Sequence, residues 1–124
     1  MKINDWEYVG RSPRHQAVTE VEIERAGYAP PARVTADLVD FSRYGARFST
    51  EPALAENEPI VILLRNASIG LDLAFPGAVR WWTRQEDGRR LYGCQFKEEV
   101  PLETLGELFL AGILSVQPAA ASSG

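Results

Sequence analysis

Two short clusters in this chain carry residue types that do ligand chemistry. The first is Arg11-Ser12-Pro13-Arg14, followed at once by His15. The second is Asp40-Phe41-Ser42-Arg43-Tyr44-Gly45, a D-x-S-x-x-G hexad. Guanidinium groups fork onto phosphate oxygens and stack on purine faces, whereas a carboxylate accepts hydrogen bonds from base N–H groups. Arginines on a short tether together with an acidic, hydroxyl-bearing turn therefore suit a phosphorylated purine. Arg11 and Arg14 would carry phosphate charge and cover a base. His15 would add a stacking surface or a donor, and Asp40 would accept from a guanine N1–H and N2–H₂ edge. Ser42 would bond a base or phosphate, and Gly45 would supply a positive φ or let the ligand approach the backbone.

Each residue also has a purely structural reading. Asp and Ser cap backbone N–H groups in turns and Gly closes them, so the hexad alone is a common turn pattern. An arginine pair near a terminus is often just solvated. His15 is the sole histidine, so no metal-ligand spacing exists and no metal is expected. A nucleophile elbow and a P-loop are both absent, so no catalytic residue is expected and the chain does not read as an enzyme.

The elements that must position these clusters are mostly strands. Ala17 to Glu24 alternates, with Val21 and Ile23 on one face and three glutamates on the other; this is a half-buried strand with a solvated acidic face. Arg33 to Val39 alternates again as its antiparallel neighbour, and the hexad follows as a turn leading into a return strand, Gly45 to Ser49. Glu51 to Glu58 reads as a loop and Pro59 to Leu64 as a buried strand. From Leu71 the odd positions through Trp81 form one face, with a bulge or bend expected at Pro76-Gly77. Trp81 and Trp82 alternate, which puts one in the core and leaves Trp82 outward beside Arg80. Asp87-Gly88 signals a hairpin into the strand Arg89 to Phe96. In that strand Tyr92, Cys94 and Phe96 share a face, and Cys94 reads as a packed core thiol.

Pro101 opens a helical period through Leu102, Leu105, Leu108, Phe109 and Ile113, with Glu98, Glu99 and Glu103 near its positive end. The reading is mainly β: a small six-stranded antiparallel barrel or sandwich with a C-terminal helix. Residues 1–10 form an N-terminal arm, 11–116 the domain and 117–124 a disordered tail.

The chain has 124 residues, enough for one domain with its own core. A net charge of −4 argues against broad nucleic-acid binding, although seven arginines between Arg11 and Arg65 allow a local basic patch. One cysteine excludes an internal disulfide. The lack of a long apolar run excludes membrane insertion by a helix, and together these point to the cytoplasm.

Over roughly residues 10 to 114 the chain resembles the PilZ family. The likeness rests on Asp40, Ser42 and Gly45, the apolar strand Ala46-Arg47-Phe48, and the closing strand Leu91-Tyr92-Gly93-Cys94-Gln95-Phe96. It implies a six-stranded β-barrel with a C-terminal helix, and cyclic di-GMP as ligand. One signature departs from the pattern: the family's R-x-x-x-R places its arginines four apart, whereas Arg11 and Arg14 are three apart. The resemblance implies a receptor that signals to a protein partner as its arginine arm orders on the ligand. The shortened spacing motivates an alternative, a PilZ-like adaptor that binds protein and no nucleotide.

Overall fold

A computed structural model describes residues 15–115. The expected arm and tail, together with Arg11 and Arg14, lie outside the described residues. Seven strands and one helix follow in order: β1 (His15–Arg25), β2 (Ala32–Phe41), β3 (Gly45–Thr50), β4 (Pro59–Asn66), β5 (Leu71–Arg84), β6 (Arg90–Phe96), α1 (Leu102–Leu110) and β7 (Leu114–Ser115). The sheet order is β2-β3-β6-β5-β4-β1-β7, and β1 also pairs with β2, so six antiparallel strands close into a barrel. The two-residue β7 adds to β1 outside that ring. No helix among the described residues is long and apolar enough to cross a membrane.

Alternation explains most of the barrel. Val21, Ile23, Ala36, Leu38, Phe48, Ile60, Ile62, Leu64, Val79 and Cys94 point inward and are buried, whereas Glu20 and Glu22 stay exposed. Arg33 crosses from β2 to meet Glu24 at 3.2 Å on that outer face. The aromatic core has two parts. Phe41, Phe75 and Phe96 contact one another with centroids 5.1–5.6 Å apart; Tyr92 stacks on Phe48 at 5.5 Å. Tyr92 is fully buried, yet its hydroxyl is satisfied: it accepts from Leu54 N–H at 2.8 Å and donates to Pro52 carbonyl at 3.0 Å. The loop over residues 51–58 is thereby tied down across one barrel end. Burial pushes the Cys94 thiol up to about 12, which leaves it a neutral core group.

Bulges fall elsewhere than the sequence suggests. Strand β5 runs unbroken through Pro76-Gly77, which pair with Val61 and Ile60. The register slips instead at Arg80, between Val79 and Trp81 against β6. The helix also ends earlier than its apolar period. Gly112 adopts φ 78°, its N–H donates to Phe109 carbonyl and Ile113 N–H donates to Leu108 carbonyl, both at 3.0 Å. This is a Schellman cap. Ile113 packs on the core from the turn that follows rather than from the helix.

One buried-side ion pair sets an acid sensitivity. Arg25 donates from Nε and Nη2 to the two Glu58 oxygens at 2.6 and 2.9 Å, and Ala55 N–H adds a bond at 2.8 Å. The Arg25 bonds above all hold the Glu58 carboxyl below its ordinary value, with burial opposing. A depressed folded value means the contribution is complete above the unfolded value near 4.5 and is lost as pH falls through the folded one. Glu58→Gln is expected to cost about 2 kcal/mol at neutral pH. It should also flatten the fall of melting temperature below pH 4.5, read by circular dichroism across pH.

Candidate functional site

The hexad is a hairpin built on Ser42. Asp40 and Phe41 are the last residues of β2, and Gly45 is the first of β3. Ser42 N–H donates to Gly45 carbonyl at 2.8 Å. Its hydroxyl donates to the same carbonyl at 3.2 Å and accepts from Tyr44 and Gly45 N–H at 3.2 and 3.3 Å. Ser42 is fully buried and closes the turn. Left-handed glycines among the described residues are Gly70, Gly88 and Gly112. Gly45 instead has extended backbone and pairs with Gln95, so the positive φ expected there is not used.

A β-bulge aims Asp40. Leu38 pairs with Phe48 and Asp40 with Arg47, so Val39 is the extra residue. Without that slip Asp40 would share the core-facing parity of Ala36 and Leu38. With it, Phe41 takes the core position and Asp40 turns to the outer face. Arg47 meets it there: Nε and Nη2 both donate to Oδ2, the former at 2.8 Å. Asp40 is only 5% exposed.

The register carries the site across five strands. Gln16 on β1 pairs with Asp40, Asp40 with Arg47, Arg47 with Gly93 on β6, and Gly93 with Trp81 on β5. A Cβ at Gly93 would run into the Trp81 indole, so the missing side chain is what lets that ring lie against the strand. Trp81 thereby belongs to the outer row and not to the core, because the Arg80 bulge flips its face. Arg47 and Trp81 thus share a row with Asp40, a placement that strand alternation alone does not reveal; a glycine amid the apolar strand Tyr92-Gly93-Cys94 is the one signal for the second.

Trp82 is 42% exposed and stacks under Arg90, with the guanidinium carbon 4.2 Å from its ring. This replaces the expected partnership with Arg80, which instead bonds Gln95 and Asn57 at 3.0 Å each. His15 lies half-buried at the start of β1, paired with Phe41 and edge-on to Phe109 of α1 at 4.9 Å. Among the described residues no group of three or more His, Cys, Asp or Glu could hold a metal ion.

The turn is also bolted to the approach to α1. Arg43 Nε donates to Val100 carbonyl at 3.0 Å and its Nη2 lies 3.3 Å from Glu99. Val100 N–H returns a bond to Arg43 carbonyl at 2.8 Å, and Phe96 N–H donates to Tyr44 carbonyl at 2.7 Å. Glu99 therefore serves the hexad rather than the helix dipole, and Glu103 alone occupies the first turn of α1.

The fold has a solved counterpart: the structure of K. pneumonia MrkH in its apo state superposes with a TM-score of 0.54 at 17% identity, over 80% of this chain and 50% of that one. This chain thus spans about half of MrkH, and the likeness speaks to fold. No curated protein matches the chain. The PilZ domain family matches over residues 10–111, a span that holds the hexad, its bulge, the row from Gln16 to Trp81 and the helix beneath. The chain belongs to the PilZ domain family, a family of cyclic di-GMP receptor domains.

Proposed function

We propose that this domain binds cyclic di-GMP between the hexad and the arginines ahead of β1, and signals to a protein partner as that segment orders. One observation carries the reading: Gln16 is the cross-strand neighbour of Asp40. The chain bearing Arg11 and Arg14 therefore enters the barrel beside the hexad. Arg14 is bonded to His15, and Arg11 is four residues upstream, at most about 14 Å away by chain length. Both guanidiniums are tethered within reach of a guanine edge held at Asp40. Arg47 and Trp81, next in the row, offer a planar cation and an indole face against which a purine can stack.

Ser42 acts by shaping the hairpin that holds Asp40, and its role toward the ligand is exercised through Tyr44 and Gly45. The bonds from Arg43 and Tyr44 to residues 96–100 give ligand binding a mechanical connection to α1, so that a ligand drawing on the hexad also loads the helix.

Calorimetric titration with cyclic di-GMP tests the reading. Wild type is expected to release heat and gain melting temperature. Arg11→Ala and Arg14→Ala are each expected to lose ten- to about a hundred-fold in affinity, since each removes a charge-assisted bond. The three-residue spacing of these arginines favours the second reading, a protein adaptor indifferent to nucleotide. Absence of both heat and thermal shift with wild type would select it.

A further inference from the structure

Nearly every described arginine has a partner. Arg25, Arg33, Arg43, Arg47, Arg65 and Arg89 each meet a carboxylate, and Arg80 is held by two amide side chains. Arg84 and Arg90 break this pattern. They are direct cross-strand partners on the β5–β6 hairpin, and neither makes an ion pair among the described residues. Like charges placed opposite each other destabilise a hairpin. A protein of net charge −4 has carboxylates to spare, and Glu86 and Asp87 sit in the same turn. The pair is nonetheless left facing itself, beside the exposed Trp82.

We propose that Trp82, Arg84 and Arg90 form a docking surface for an acidic segment of a protein partner. Arg90 lies over the Trp82 ring, and a guanidinium over an indole keeps N–H donors for a carboxylate. Arg84 presents a second fork directly across the strand. Tryptophan and arginine are the residues that dominate protein interfaces when a few contacts carry the affinity. A polynucleotide fits this surface less well, because tracking a phosphate backbone takes a longer basic stripe than two arginines flanked by Glu86 and Asp87. The surface is also separate from the hexad. Arg90 pairs with Thr50 and Gln95 with Gly45, which sets the two sites about 17 Å apart along β6. The proposal does not depend on nucleotide binding.

The test uses the full chain, a fluorescein-labelled peptide of alternating glutamate and leucine, and a short DNA duplex of matched charge. Anisotropy is expected to show peptide binding that weakens with salt. Arg84→Glu is expected to lower peptide affinity at least about tenfold. The same change supplies Arg90 with an acidic neighbour, so melting temperature should rise, which separates lost docking from lost folding. Arg90→Lys, which keeps the charge and loses the planar stack, is expected to fall between. Affinity for cyclic di-GMP should be unchanged in both variants, whatever its value in wild type. Three outcomes overturn the proposal: no peptide binding by wild type, equal peptide binding by wild type and Arg84→Glu, or tighter binding of the duplex than of the peptide.

Discussion

Asp40→Ala is expected to reduce affinity for cyclic di-GMP by about 30- to 100-fold, with melting temperature lowered by only about 5 °C. A charged carboxylate accepting from a guanine edge contributes about 2–3 kcal/mol, which sets that range. The fold should survive because the side chain left behind is not stranded. Arg47 is 34% exposed at its side chain, so water takes over the bonds that Asp40 supplied, at a net cost of about 1 kcal/mol. Asp40→Asn retains an acceptor without the charge and is expected to fall between wild type and alanine. Calorimetry beside thermal melts reads both quantities. Equal binding heats for wild type and Asp40→Ala, given a wild type that binds, would remove Asp40 from the site.

The neighbouring residue behaves in the opposite way. Phe41 is one of the unspecified positions in D-x-S-x-x-G, yet it is fully buried and contacts both Phe75 and Phe96 at 5.1 Å. Phe41→Ala removes the centre of that cluster and opens a cavity that three separate strands would have to close. The expected loss is about 4 kcal/mol, which lowers the melting temperature by roughly 15–25 °C in a domain of this size. Denaturant midpoints check it. A loss under about 1 kcal/mol would show that the aromatic cluster repacks freely. The contrast between adjacent residues is strand alternation, and the Val39 bulge decides its sense: Phe41 faces the core and Asp40 the outer face, where Arg47 covers it.

The alternation of β1 and β2, the Asp87-Gly88 hairpin and the Ser42-centred turn were all legible in the chain, since each rests on contacts between residues close in sequence. Gly88 does take φ 89°, as its turn requires. The expected six-stranded barrel with a terminal helix stands, with short β7 added. Less legible were the places where period alone misleads. Ile113 continues the apolar helical spacing, yet the left-handed Gly112 ends α1 first. Pro76-Gly77 looked like a break and is paired straight through.

Sequence by itself determined the family, the class of fold and the candidate hexad, because periodicity and turn chemistry are local properties. Tertiary structure alone decided which charges meet. Asp40 found Arg47, Trp81 settled on Gly93, and Arg84 came to face Arg90, all through the exact register of the β2–β3 and β5–β6 hairpins. Register depends on bulges at Val39 and Arg80, and a one-residue slip exchanges the faces of every side chain beyond it. No local pattern carries that information, since the residue that is skipped is chosen by the pairing of the whole barrel.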